Sequence, residues 1–208
     1  MSLTKGYLAL FNFASSAGWG YVLALAAAHW AAAGFTAPGT YAAVKQPLQV
    51  VQSCAVLEVV HPLVGLVRTP VVTTAIQVWS RIWVVWFVLW LCPTSQEYTF
   101  EVAGGAGFGI HTMLVAWCVT EVVRYALYAF KQLGSQPYPL LWLRYSMFVV
   151  LYPLGVASEM ACLWGAMEHA RKVDLWAYHM PNALNFEIDY VTIGKVGLCI
   201  YPPFLHML

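Results

Sequence analysis

Hydrophobic residues in this chain come in runs long enough to cross a bilayer, which leaves few ways for it to fold. Runs of spanning length, about 20 residues each, fall at roughly 7–33, 47–67, 70–92, 103–127, 140–166 and 187–208. In hydrocarbon a backbone must satisfy its own hydrogen bonds, so such runs fold as helices. The expected fold is an all-α membrane protein, a bundle of six transmembrane helices forming a single domain over residues 1–208. Composition agrees: 61% of residues are hydrophobic and 9% are charged. Soluble domains carry roughly 25% charged residues, so this chain has too few polar side chains to cover a water-facing surface. A net charge of +1 without a basic stripe argues against a nucleic-acid partner.

The breaks between runs carry turn residues. Gly34, Pro38 and Gly39 mark a loop over 34–46, Arg68, Thr69 and Pro70 a tight break, and Pro93, Glu97 and Glu101 a loop over 93–102. Gly134, Pro137 and Pro139 mark the next, and Glu168, Arg171, Lys172 and Asp174 a polar loop over 167–185. Gly105 and Gly109 form a small-xxx-small pair at the start of the fourth run, suited to close helix approach. No cleavable signal sequence is visible at the start, so insertion is expected to use the first span. With a cytosolic N-terminus, Lys5, Arg68, Lys131 and Arg144 lie inside, Lys45, Arg171 and Lys172 lie outside, and loop 93–102 has no basic residue. That bias favours the N-in orientation. The cysteines Cys54, Cys92, Cys118, Cys162 and Cys199 stand singly, as small apolar side chains do, and form no disulfide framework.

The fifth run holds the most unusual stretch, LWLRYSMFVVLYPLGVASEM over 141–160. Tyr145, Tyr152 and Glu159 follow one another at intervals of seven residues, close to two helical turns, so they project from nearly one face. Pro153 has no N–H for the carbonyl of Val149, so the helix can kink there and free a polar backbone group. An ionisable residue within a span is a functional-site candidate. Glu159 has no basic residue three or four positions away on its own helix, which suits a general acid or base. A protonated glutamate tying two helices is the competing reading. Three further polar pairs sit inside spans, Glu58 with His61, Gln77 with Arg81, and Glu121 with Arg124, each three or four residues apart and able to meet on one helix face. A charge at the bilayer centre costs about 2.5–3.5 kcal/mol. These residues are therefore expected to face the bundle interior, as interhelical ties or as the lining of a cavity.

Several motifs fail on context. Cys118 and Arg124 in CVTEVVR have the C-x5-R spacing of tyrosine phosphatases, but that chemistry needs a loop of backbone N–H groups around phosphate, and these residues lie in a helical run. His169 and Asp174 match an acyltransferase H-x4-D inside what reads as a solvated loop. The histidines stand far apart, so no metal and no histidine-box di-iron site is implied.

The segments QVVQSCAVLEVVHPLVGLVRT (49–69), QVWSR (77–81), EVVRYALY (121–128) and RYSMFVVLYPLGVASE (144–159) together resemble the 3-hydroxyacyl-CoA dehydratases of very-long-chain fatty acid elongation. This family includes the plant PASTICCINO dehydratase and was once labelled protein-tyrosine-phosphatase-like. The resemblance runs from about residue 4 to 207, and the LYPLG…SE motif is specific to it. It implies Tyr152 and Glu159 as the catalytic pair, no cofactor, and a six-span protein of the endoplasmic reticulum with cytosolic termini. It also implies a long-chain 3-hydroxyacyl-CoA substrate, surrounding membrane lipid, and other elongation enzymes as partners. Members often continue into a lysine-rich cytosolic tail, and this sequence reaches Leu208 without one, which bears on retrieval.

The implied reaction is loss of water to give the trans-2-enoyl-CoA, which needs a base for the C2 proton and a donor to the C3 oxygen. Glu159 is expected as the base and Tyr152 as the donor, their Cα atoms about 10 Å apart at 1.5 Å rise per residue. Tyr145, Ser158 and a backbone N–H near Gly155 are candidates for the thioester oxyanion. The charged nucleotide stays at the cytosolic mouth, where Lys131 and Arg144 can meet its phosphates. A non-catalytic scaffold of the same family is the alternative function, and a transporter is disfavoured because repeated halves are missing. Topology provides the first check. Tags at the N-terminus and in 131–139 should be cytosolic and a tag in 93–102 lumenal; a lumenal residue 140 would overturn the arrangement.

Overall fold

Glycine and proline set where the helices of this chain begin and stop. The computed structural model describes residues 3–101, 107–183, 185–186 and 188–206; Gly105 and Leu208, named above, lie outside the described residues. Helix α1 (Leu3–Ala33) is rich in alanine and leucine, the best helix formers, and ends at Gly34. Gly39, with φ +88°, takes the left-handed conformation that glycine tolerates and leads into α2 (Thr40–Cys54).

The second apolar run is not one helix over 47–67. The chain turns at Ala55 and Val56 and resumes as α3 (Leu57–Leu63). The reason is local: Ala55, Val56 and Glu58 donate to the carbonyls three residues back, at 3.3, 3.2 and 2.9 Å, a tight turn that breaks the α-helical ladder. Helix α4 (Val71–Trp83) starts after Pro70 and passes into a π-helical stretch, Val84–Trp90. That wider turn leaves backbone carbonyls to be met by side chains. Tyr190 Oη donates to Phe87 O (3.0 Å), Ser95 Oγ to Val88 O (2.7 Å) and Gln96 Nε2 to Leu89 O (2.8 Å).

Residues expected as a plain loop over 93–102 form a short helix, α5 (Thr94–Glu97), and strand β1 (Thr99–Glu101). Strand β1 pairs antiparallel with β2 (Gly107–Gly109), Phe100 opposite Phe108. Helix α6 (Ile110–Gln132) therefore begins later than the apolar run suggests, with Gly109 N donating to Thr112 Oγ1 at 3.0 Å. Helix α7 (Tyr138–Val173) runs through Pro153 and beyond residue 166. Glu168, Arg171 and Lys172 thus belong to its last turns, not to a loop, and Arg171 pairs with Glu168 one turn back. Asp174, with φ +56°, ends it. Helix α8 (Tyr190–His206) closes the described chain.

Among the described residues, four stretches are long and apolar enough to cross a membrane: Leu3–Ala33, Val71–Trp90, Ile110–Gln132 and Tyr138–Val173. Leu10, Val72, Trp79, Phe148 and Val149 are exposed, as a lipid-facing surface allows. Helix α6 is the centre of the bundle. Ser16 Oγ donates to Val122 O at 3.0 Å and Phe11 meets Tyr125, which sets α1 antiparallel along one side. Thr112 with Ser158 (2.8 Å) and Tyr128 with Arg144 (3.0 Å) set α7 antiparallel along the other. The hairpin end is pinned by Gly165 of α7, where an added Cβ would lie 2.5 Å from Tyr98 Cβ and 3.0 Å from Ser95 Cα. Gly165→Leu is therefore expected to cost about 1–3 kcal/mol through overpacking. Gly197→Ala, whose Cβ would meet Leu163 at an ordinary 3.7 Å, should be near neutral. Thermal unfolding in detergent compares the two, and equal melting temperatures would contradict the packing.

Candidate active site

Glu58, Arg81, Glu121, Arg124, Arg144 and Glu159, scattered along the sequence, converge on one cavity of about 530 Å³. Its wall includes Trp19 of α1, Gln52 of α2, Glu58 of α3 and Arg81 of α4. Trp117, Glu121, Arg124 and Tyr128 of α6 face Arg144, Tyr145, Tyr152 and Glu159 of α7 across it. The seven-residue spacing on α7 does bring Tyr145, Tyr152 and Glu159 to a single space, and their exposure grades it. Glu159 is 7% exposed and Tyr145 is 68% exposed, with Tyr152 between them. The cavity therefore opens toward the start of α7 and deepens toward Glu159.

Glu159 Oε1 accepts a hydrogen bond from Trp117 Nε1 at 2.7 Å. Tyr152 stacks on Phe148, ring centroids 4.9 Å apart. Arg81 pairs with Glu121 and lies 5.3 Å from the centroid of the Trp117 ring. The floor is thus polar and ordered while the α7 wall, with Leu143, Met147, Phe148, Leu151 and Val156, is apolar.

The polar pairs inside the spans do not pair as sequence spacing suggests. Only Glu121 and Arg124 meet on their own helix, at 2.5 and 2.8 Å. Arg124 also holds Glu58 of α3 through two bonds of 2.8 Å, and Tyr125 Oη donates to the same carboxylate. Arg81 reaches across to Glu121 rather than to Gln77, and His61 meets Tyr7 of α1 at 3.0 Å. The result is a chain of alternating charge, Glu58–Arg124–Glu121–Arg81, over α3, α6 and α4. These residues are at once ties between helices and lining of the cavity.

Other expectations separate. Ser158 is fully buried and committed to Thr112 and to Leu154 O (2.7 Å), so it is withdrawn as an oxyanion donor. Arg144 lines the cavity and donates to Tyr128 Oη, whereas Lys131 is exposed and lies outside the lining. Cys118 is buried in the core, and His169 meets Thr94 at 3.2 Å. Sequence reading missed Trp117 and Gln52. Trp117 sits in an ordinary apolar helix, and Gln52 looks like a surface amide on a short polar helix. Among the described residues, the buried polar atoms without a protein hydrogen-bond partner are Gln52 Oε1, His111 Nε2 and Arg144 Nη1. Two of those three residues line this cavity. Buried polar groups are normally paired, so these two mark its wall as a surface that can receive a polar ligand.

The sequence model of the family described as protein tyrosine phosphatase-like protein, PTPLA, matches residues 52–208. The chain belongs to this family. It is 38% identical over 198 residues to the very-long-chain (3R)-3-hydroxyacyl-CoA dehydratase PASTICCINO 2 of Arabidopsis thaliana, covering 95% of this chain and 85% of that one. It is 39% identical to the dehydratase hpo-8 of Caenorhabditis elegans, at 95% and 86% coverage. Against dehydratase 2 of Homo sapiens the identity is 32%, at 99% and 77% coverage. No solved structure matches the chain.

The charge chain is what the bundle is expected to feel most. Arg124→Ala leaves Glu58 and the buried Glu121 without their shared cation, and breaking a buried pair costs about 3–5 kcal/mol. Folded yield and melting temperature should fall sharply, while turnover per folded molecule falls less. Normal yield with vanished turnover would instead assign Arg124 to the chemistry.

Proposed function

We propose that this chain dehydrates (3R)-3-hydroxyacyl-CoA to the trans-2-enoyl-CoA of very-long-chain fatty acid elongation, with Glu159 as base and Tyr152 as proton donor. The observation that carries the reading is the cavity shared by the two side chains, apolar along α7 and polar at its floor. Membership of a family whose named relatives are such dehydratases supports it.

The substrate's thioester acidifies its C2 proton, but hydroxide at C3 leaves poorly unless it is protonated. Glu159 takes the C2 proton, the C2–C3 double bond forms, and the C3–O bond breaks as Tyr152 donates its phenolic proton. Water departs, and the proton held by Glu159 returns to the tyrosinate, restoring both groups. Water excluded from the deep end strengthens every electrostatic contact there. The acyl chain lies along the apolar wall, and the nucleotide stays at the open end, where Arg144 Nη1 has no protein partner. A bidentate guanidinium suits phosphate.

The same reading takes α2 with α3 as one bent span and α8 as the last, giving six spans in one domain with a cytosolic N-terminus. It places the protein in the endoplasmic reticulum, beside the other enzymes of elongation and within lipid.

Tyr152→Phe and Glu159→Gln test it. General acids and bases contribute about 10²–10⁴-fold, so each variant should lose at least a hundredfold in turnover of (3R)-3-hydroxystearoyl-CoA while remaining monodisperse in detergent. Losses under about tenfold would sink the assignment. Full turnover by neither the wild type nor the variants would favour a scaffold.

A further inference from the structure

The carboxylate of Glu159 is held by a residue that reacts with nothing. Trp117 is 2% exposed, and its indole N–H lies 2.7 Å from Glu159 Oε1. A charge-assisted bond of this length is stronger than one between neutral groups, and it restrains how the carboxyl group is turned. The indole is itself immobilised. Trp19, 1% exposed, meets it edge-on with ring centroids 6.3 Å apart, and the Arg81 guanidinium lies 5.3 Å from its centroid. Arg81 stays there because it also pairs with Glu121, one turn along α6 from Trp117, where side chains share a face. Each restraint comes from a different element: α1 through Trp19, α4 through Arg81 and α6 through Trp117 itself.

We propose that Trp117 is a positioning residue for dehydration, its indole N–H aiming the Glu159 carboxylate at the C2 proton of the substrate. This rests on the reading of Glu159 as the base. A tryptophan suits the task because its N–H is a donor only and cannot compete for the proton being moved. Its rigid ring also spans the gap between α6 and α7 without a flexible stem. Misplacing a catalytic group by about 1 Å can cost about 10²-fold in rate, so one lost hydrogen bond can appear as a large kinetic effect with little effect on substrate binding.

The test uses the full chain in detergent with (3R)-3-hydroxystearoyl-CoA, comparing wild type, Trp117→Phe, Trp117→His and Glu159→Gln, each normalised to its monodisperse fraction. Both ring substitutions lose indole volume, but only histidine keeps a ring N–H. The expected result is a fall in kcat of roughly 10–100-fold for Trp117→Phe with KM within about twofold of wild type. Trp117→His should recover a measurable part of that loss, and adding Trp117→Phe to Glu159→Gln should cost nothing further, since both act on one group. Equal losses for phenylalanine and histidine, or an unchanged kcat for Trp117→Phe, would reduce Trp117 to packing and overturn the proposal while leaving Glu159 as base. Wild-type turnover by Glu159→Gln would overturn the base assignment and the proposal with it.

Discussion

Arg124 is the interaction on which the bundle depends. Its guanidinium is shared by Glu58 through two bonds of 2.8 Å and by Glu121 at 2.5 Å, and it lies 4.2 Å from the Tyr125 ring centroid. Inside an apolar bundle an isolated charge is expensive, while charges of alternating sign at hydrogen-bond distance offset one another. Glu58, Arg124, Glu121 and Arg81 form such a series with no formal net charge. Because α3, α4 and α6 each contribute, none of the three can shift without uncovering a charge. The tight turn between α2 and α3 serves that constraint, since it sets a short helix from which Glu58 reaches Arg124 of α6.

The same series also explains why the cavity stays open. A region lined by Glu58, Arg81, Glu121 and Arg124 cannot be filled by aliphatic side chains without stranding polar groups. The bundle therefore packs tightly where it is apolar, around Met113, Leu114, Cys118 and Val85, and leaves space where it is charged. Helix α7 borders both regions. Its buried half, with Ala161, Cys162 and Ala166, packs against the core, while its earlier turns face the cavity with Tyr145 and Tyr152. The ties between helices and the α7 side chains thus share one polar interior, so that Arg81 touches a buried glutamate on one side and the indole beside Glu159 on the other.

Much of this was legible in sequence because two periodicities are strong. Apolar length found the helical stretches, and the spacing of Tyr145, Tyr152 and Glu159 found the face of α7 that lines the cavity. What escaped depends on contacts between elements. Same-helix spacing suggested three local pairs, yet only Glu121 with Arg124 forms, because helices crossing at close range bring better-placed partners than a neighbour one turn away. The helix ends moved as well. Glu168, Arg171 and Lys172 look like loop residues by polarity, but a helix emerging from an apolar layer tolerates a charged last turn, and α7 runs on to Val173. Hairpin residues around Gly107 and Gly109 look like part of a span because glycine and phenylalanine are apolar, though glycine is also the residue that lets two strands and a helix start meet closely.

The C-x5-R spacing of a tyrosine phosphatase makes no phosphate site in this fold. Cys118 and Arg124 stand six residues apart in CVTEVVR, the spacing that a phosphate-binding loop would use. On a helix that spacing spans about 9 Å of axis and turns through about 240°, so the two side chains leave from different faces. Cys118 is fully buried in the core, whereas Arg124 lines the cavity with the N–H groups of its guanidinium edges engaged by Glu58 and Glu121. The backbone N–H groups between them are spent within α6 and cannot cradle an anion. A thiol without water access and a guanidinium already neutralised supply neither a nucleophile nor a phosphate site. The motif is one of spacing alone, and the side chains that α7 turns toward the cavity include the Glu159 carboxylate and the Tyr152 phenol.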